Sequence, residues 1–110
     1  MADATFVLDA LGEASRRHLL ELLHERGEST VSELVGASEM RQPQVSKHLK
    51  VLREASLVAV RPEGRHRYYR LDGRGLETAH AWFSSFEDVW RSRFDALDEL
   101  VSTNHEEHQP

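Results

Sequence analysis

The sequence predicts a mainly α-helical domain with a small β-hairpin. Four segments with apolar residues at helical spacing come first, and two short runs rich in β-branched and aromatic residues follow them. A fifth, longer helical segment completes the chain. The length of 110 residues suits one domain with a modest core. The predicted order is therefore helix, helix, helix, helix, strand, strand, helix.

Three helices are predicted in the first part of the chain. Residues 4–11 and 14–26 carry apolar stripes, and a glycine follows each of them. Thr30 or Ser29 can cap a third helix, and Glu33 three residues after Thr30 completes the pattern of a capping box. A polar break at 36–39 ends this helix.

The fourth predicted helix covers residues 42–55. Pro43 suits its first turn, where a missing N–H costs nothing. Val45, Leu49 and Leu52 stand at positions i, i+4 and i+7, so they share one face that we expect to be buried. The other side of the helix offers amide, imidazole and ammonium groups to solvent.

The two predicted strands, 57–61 and 66–71, form a hairpin. Between them, Pro62–Arg65 forms a turn in which Gly64 can adopt a positive φ. Several arginines and few apolar residues lie at the tip of the hairpin. The segment 57–71 is therefore typical of a projecting wing rather than of a sheet in the core.

The last predicted helix runs over residues 75–102 and contains both tryptophans and three of the four phenylalanines. Its apolar stripe is more than a domain of this size can bury alone, so we expect a second copy of the chain to cover it. The expected dimer contacts are Phe6, Leu8, Phe86, Trp90, Phe94 and Leu97. Residues 1–102 form the expected single domain, and 103–110 are expected to be a disordered polar tail.

The net charge of −5 conceals a steep separation of charge. Residues 41–74 contain nine basic and three acidic side chains, a net charge of +6, while the rest of the chain carries −11. This distribution predicts a basic surface on an acidic body. Such a surface is suited to nucleic acid.

Two helices joined by a short turn and followed by a basic hairpin have the order of a winged helix-turn-helix. The helix 42–55 can enter a major groove and present side chains to base edges, while the wing 57–71 can contact the backbone or the minor groove. The predicted DNA-binding residues are Arg41, Gln42, Gln44, Ser46, Lys47, His48, Lys50, Arg61, Arg65, His66 and Arg67.

The sequence also resembles a known family. The run from Gln42 to Ala55, then Leu57-Val58, Glu63-Gly64-Arg65 and Tyr68 to Leu71, is similar to the ArsR-type (arsenic-repressor) family of winged helix-turn-helix transcriptional regulators. The resemblance covers residues 5–101. It implies a homodimer, paired through its first and last helices, that binds a palindromic operator and represses transcription. Ser56 replaces a glycine that is usual in the family.

The residues that metal-sensing members of this family use are different here. The sequence has no cysteine, and Val31-Ser32-Glu33-Leu34 occupies the stretch where those members carry a thiolate pair. In the last helix, His80 is followed eleven residues later by Arg91 rather than by a second histidine. The chain therefore resembles the metal-independent branch, and we expect no metal and no cofactor.

Two alternatives remain beside a sequence-specific, dimeric DNA-binding repressor. One is a winged-helix module that binds proteins, and the other is the same repressor released by a metal or a small ligand. We expect no enzymatic activity, because no arrangement of nucleophile and base or of paired carboxylates is evident. We expect a cytoplasmic location without membrane contact, because the chain shows neither a signal peptide nor a long apolar run.

Overall fold

The computed structural model describes residues 3–108, which form six helices and a three-stranded sheet. The predicted fold class, mainly α-helical with a small β-hairpin, is confirmed. In chain order the elements are α1 (Ala4–Leu11), α2 (Ala14–Arg26), β1 (Ser29–Thr30), α3 (Val31–Ser38), α4 (Gln42–Glu54), β2 (Val58–Glu63), β3 (His66–Leu71), α5 (Gly73–Ser84) and α6 (Glu87–His108).

The corner between α1 and α2 is closed by side chains from the first turn of α2. Glu13 caps α2 by accepting a hydrogen bond from the backbone N–H of Arg16 at 3.1 Å. The Arg16 Nε donates to the carbonyl of Ala10 at 2.7 Å, and Arg17 donates to the carbonyl of Leu11 at 2.8 Å. The two arginines thereby satisfy carbonyl groups that the end of α1 leaves unpaired.

The predicted capping box at the start of α3 is confirmed. The Thr30 hydroxyl accepts a hydrogen bond from the backbone N–H of Glu33 at 3.2 Å, and the Glu33 carboxylate accepts one from the N–H of Thr30 at 2.9 Å. After α3, Glu39 adopts a left-handed conformation with φ of 62°. This residue turns the chain from α3 towards α4.

The buried face predicted for α4 is also confirmed. Val45, Leu49 and Leu52 are fully buried, at 0% exposure. Burial of three aliphatic side chains on one face contributes several kcal/mol, on the order of 1.5–3 per residue. The opposite face of α4 is consequently held towards solvent. The same core cluster includes buried residues from α1, α2, α3, β2 and the position just before β2: Val7, Leu19, Leu34, Val58 and Leu57.

The sheet contains a strand that the sequence pattern did not reveal. β1 pairs antiparallel with β3 through Ser29 opposite Tyr69 and Thr30 opposite Tyr68, so the strand order is β1-β3-β2. A two-residue strand is too short to show alternation, and its partner lies far along the chain. The hairpin therefore has a third strand at its base, which corrects the predicted order.

The single helix predicted over 75–102 is wrong, because the chain breaks between α5 and α6. The hydroxyl of Ser85 donates to the carbonyl of Trp82 at 2.6 Å, and the N–H of Phe86 donates to the carbonyl of Phe83 at 3.0 Å. Serine hydroxyls compete with the backbone for helical carbonyls, and serine pairs are common at kinks. α5 thus ends at Ser84, immediately before the hydrogen-bonded Ser85.

The backbone of α6 is helical to His108, so residues 103–108 of the expected disordered tail are helical. Gln109 and Pro110, the end of that tail, lie outside the described residues, as do Met1 and Ala2. The chain divides into two compact units, with the division after His80. None of the helices within residues 3–108 has the length and apolar composition needed to cross a membrane.

Replacing Ser56 by glycine is expected to stabilise the protein by about 0.5–1 kcal/mol. Ser56 follows α4 with φ of 57°, a left-handed conformation that disfavours residues with a Cβ atom. The gain is smaller than the full cost of that conformation, because glycine also makes the unfolded chain more flexible. Urea unfolding at equilibrium measures the difference. As the control, Ser46→Gly in the middle of α4 should destabilise by about 0.5 kcal/mol. Destabilisation by both substitutions would contradict the backbone argument.

Candidate nucleic-acid interface

The solvent-facing side of α4 presents a continuous set of polar groups. The side chains of Gln42, Gln44, Ser46, Lys47 and Lys50 are all exposed, and Arg41 immediately before the helix is exposed as well. Because the aliphatic side of the helix is anchored in the core, these groups are held on a rigid element. Amide and ammonium groups arranged this way can donate and accept hydrogen bonds at the edges of base pairs.

The side chain of Gln44 also makes a hydrogen bond to the start of its own helix. Its side-chain oxygen accepts a hydrogen bond from the backbone N–H of Arg41 at 3.3 Å, which is long for such a bond. This contact helps to satisfy the first turn of α4, where the Arg41 side chain provides no cap. Gln44 is exposed, and its amide nitrogen can donate to a base.

His48 is oriented differently from the other predicted DNA-binding residues of α4. Its side chain is only 19% exposed, and its Nε2 lies 3.9 Å from a carboxylate oxygen of Glu13, at the start of α2. Its Nδ1 is buried without a hydrogen-bond partner among the described residues. The side chain of His48 is therefore directed from α4 towards the start of α2, at the margin of the exposed polar face.

The carboxylate that His48 faces is held in its ionised form. Partial burial opposes ionisation of Glu13, but the hydrogen bonds from the backbone N–H groups of Arg16 and Ser15 and the charge of Arg16 outweigh it and lower the pKa. Glu13 thus caps α2 and faces α4 at the same time. The sequence pattern did not indicate this contact, because the two residues are far apart in the chain.

The wing extends beyond β1, which pairs only with Tyr68 and Tyr69 of β3. β2 and β3 pair from Val58 opposite Leu71 to Glu63 opposite His66, and Gly64 closes the turn with φ of 60°. Arg65, His66 and Arg67 are exposed at or beside this turn. Within the described part of the chain, Arg65 and Arg67 form no ion pair, so their charges are available to a phosphate backbone.

Arg61, also predicted to bind DNA, is placed differently. Its guanidinium donates to the carboxylate of Glu28 at 2.6 and 3.3 Å and to the carboxylate of Glu63 at 2.9 Å. It also lies 5.0 Å from the centre of the Tyr68 ring. The pattern of basic residues indicated Arg61, but no signal in the sequence indicated its contact with Glu28.

The predicted dimer contacts lie in both units. In α1, Phe6 is 39% exposed and Leu8 is half-buried. In α6, Phe94 and Leu97 are more than half exposed, and Phe86, just before this helix, is 46% exposed. These are large apolar groups to leave in water.

Trp90 is held by two contacts within the second unit. Its indole N–H donates to the carbonyl of Phe83 at 2.9 Å, and its ring packs edge-on against Phe94 with 5.3 Å between the ring centres. The hydrogen bond spans the break between α5 and α6. Trp90 therefore helps to define the corner where the aromatic residues are concentrated.

The residues described offer no ready site for a metal ion. Among the side chains that the structure describes, which leave out those of residues 101–108, no group of three His, Asp or Glu comes close enough together to bind one. Zinc sites in proteins need three or four converging ligands.

Comparison with known proteins gives a consistent result. The sequence model described as bacterial regulatory protein, arsR family, matches residues 13–60. The arsenical resistance operon repressor of Escherichia coli K12 is 32% identical over 92 residues, covering 83% of this chain and 75% of that protein.

Two solved structures are similar over most of the chain. The crystal structure of a possible transcriptional regulator for arsenical resistance is 43% identical, covers 88% of this chain and 94% of its own, and has a TM-score of 0.67. The second is the solution structure of a homodimeric winged helix-turn-helix DNA-binding domain, fragment 1–100 of Mb0332 from Mycobacterium bovis. It is 32% identical, covers 96% of this chain and 83% of its own, and has a TM-score of 0.59.

Proposed function

Because the chain belongs to the ArsR family of bacterial regulatory proteins, we propose that it is a homodimeric, sequence-specific transcriptional repressor. Helix α4 enters the major groove of a palindromic operator, and the wing contacts the backbone or the minor groove. The two half-sites lie about 34 Å apart, or a multiple of that distance, on one face of the duplex. The protein acts in the cytoplasm and has no enzymatic activity.

The observation that carries this proposal is that one chain presents two different surfaces that are suited to DNA. α4 exposes hydrogen-bonding groups on a rigid helix, and the wing exposes arginines at its tip. Amide and ammonium groups on a rigid helix are suited to hydrogen-bonding base edges and so to recognising sequence. Arginine side chains on a hairpin are suited to contacting phosphates, which positions the protein on the duplex. A module that binds only proteins has no need of free arginines on such a hairpin.

The proposed dimer rests on exposed apolar surface and on a relative. Phe86, Phe94 and Leu97 are each 46–55% exposed in the single chain, and the Mb0332 domain is homodimeric. A second copy is the simplest partner, since a palindromic operator requires twofold symmetry in the protein that binds it.

We place the repressor in the metal-independent branch of the family. The chain has no cysteine, and its described histidines and carboxylates form no cluster of three. Thiolate ligands for arsenite or cadmium are therefore missing. Release of the operator by another signal, such as a small organic ligand, stays compatible with the fold.

Gln44→Ala and Arg65→Ala are expected to affect DNA binding in different ways. Gln44→Ala should weaken binding to the operator by about 1–3 kcal/mol and scarcely change binding to random DNA. Arg65→Ala should weaken both and reduce the slope of log affinity against log salt by about one per half-site. Fluorescence anisotropy, with the DNA upstream of the gene and a scrambled duplex, measures both effects.

Arg93→Ala is the matched control, since it removes one exposed positive charge outside α4 and the wing. It should change neither the sequence preference nor the salt slope. We assign sequence recognition to α4 and backbone contact to the wing. This assignment is wrong if Gln44→Ala and Arg65→Ala change the affinity and the salt slope in the same way on both duplexes. Failure of the unaltered protein to prefer any upstream sequence over the scrambled duplex would favour the protein-binding module instead.

A further inference from the structure

The side chain of Arg61 reaches across the sheet. It starts from β2, at one edge, passes over the central strand β3, and meets Glu28 just before β1, the strand at the other edge. Arg61 lies in β2 opposite Tyr68 of β3, and Tyr68 lies opposite Thr30 of β1. Directly paired residues point to the same face of a sheet, so these three side chains share the outer face. Arg61 extends over the Tyr68 ring and reaches Glu28, two residues before Thr30.

The contact with Glu28 is of the strong type for an exposed ion pair. Two nitrogens of the guanidinium approach the two carboxylate oxygens, at 2.6 and 3.3 Å, and a third nitrogen donates to Glu63 at 2.9 Å. Isolated surface ion pairs contribute little, but two-point contacts within a network are the recognised exception. The hydrogen bond from Arg61 also lowers the pKa of Glu28, so the pair stays ionised at neutral pH.

The same contacts make Arg61 a poor ligand for DNA. Arg61, Glu28 and Glu63 together carry a net charge of −1, so an approaching phosphate meets two carboxylates beside one guanidinium. Arg65 and Arg67, in contrast, form no ion pair among the described residues. Long-range electrostatics therefore favour phosphate contact at the tip of the wing and disfavour it at Arg61.

The wing needs support of this kind. A two-stranded hairpin is marginally stable alone, and β1 adds only two residues at its base. Glu28 lies between α2 and β1, in the part of the domain that also carries α3. A link from β2 to Glu28 thus connects the wing to the segment between α2 and α3, the two helices that pack against α4.

We propose that Arg61 is a positioning residue, which joins the wing to Glu28 and fixes its orientation for DNA binding without contacting phosphate itself. This inference rests on the proposed function for its effect on DNA binding. The link itself is independent of DNA, and it can be measured in the free protein. The predicted DNA-binding role of Arg61 is thereby replaced by an indirect one.

The test compares Arg61→Gln, Glu28→Gln and Arg65→Gln in the full chain. In the free protein, amide hydrogen exchange over residues 58–71 should become about threefold faster or more in Arg61→Gln and Glu28→Gln, and stay unchanged in Arg65→Gln. Arg61→Lys, which keeps the charge but not the two-point contact, should restore exchange only partly. Unchanged exchange in Arg61→Gln would overturn the proposal, whether or not the protein binds DNA.

Binding to a duplex of about 30 base pairs from upstream of the gene, at several salt concentrations, provides the second readout. Arg61→Gln should weaken binding about fivefold with an unchanged salt slope, whereas Arg65→Gln should lower the slope by about two per dimer. Glu28→Gln should also weaken binding, although it removes a negative charge close to the proposed DNA surface.

Whether Glu28→Gln weakens or strengthens DNA binding distinguishes the two alternative roles of Arg61. If Arg61 were a phosphate contact restrained by Glu28, Glu28→Gln would free it and raise both the affinity and the slope. The matched control is Glu25→Gln, which removes an exposed carboxylate of α2 that makes no contact with Arg61. Stronger binding by Glu28→Gln than by Glu25→Gln, or a lower slope for Arg61→Gln, would overturn the proposal.

Discussion

Phe94→Asp is expected to convert the proposed dimer into monomers and to weaken operator binding by about 100-fold or more. Phe94 is 55% exposed in the single chain, and its ring packs edge-on against Trp90 of the same unit. An unpaired carboxylate buried in a dimer interface costs several kcal/mol, which is more than one aromatic contact contributes. A monomer then binds one half-site and loses the benefit of linked binding.

Sedimentation velocity at micromolar concentration measures the assembly, and fluorescence anisotropy measures operator binding. Ser92→Asp is the matched control, because it adds the same charge to an exposed position on the opposite side of α6. It should leave both measurements unchanged, and Phe94→Leu should weaken the dimer only modestly. A Phe94→Asp protein that stayed dimeric would place the dimer contacts elsewhere on the chain.

Gly75→Ala is expected to destabilise the protein by about 2–3 kcal/mol. A Cβ atom at this position would lie 2.6 Å from the carbonyl oxygen of Ser56 and 2.7 Å from that of Ala55. Both are backbone atoms of the two residues that follow α4, so they cannot move aside as a flexible side chain could. The N–H of Gly75 also donates to the Ser56 carbonyl at 2.7 Å, and the clash would break this bond.

Urea unfolding at equilibrium measures this loss. Gly73→Ala is the control: it lies in the same first turn of α5, and a Cβ atom there would have no neighbour within 4 Å. Its stability should stay within about 0.5 kcal/mol of the unaltered protein. Equal effects of the two substitutions would mean that helix propensity, rather than close packing at Gly75, decides the result.

The sequence by itself determined the features that depend on neighbours in the chain. The capping box of Thr30 and Glu33 and the buried spacing of Val45, Leu49 and Leu52 involve residues three to seven apart. Their geometry follows from the helical repeat, whatever the rest of the chain does. The hairpin was equally local, because its turn and both strands are contiguous.

The tertiary structure alone decided the features that join distant segments. The two-residue strand β1 exists only because β3 lies beside it, and the orientation of His48 depends on Glu13 at the start of α2. Arg61 and Glu28 are 33 residues apart, so no periodicity could pair them. Whether a basic residue meets a phosphate or a carboxylate is decided by which groups the fold brings within hydrogen-bonding distance, and a one-dimensional pattern does not contain that distance.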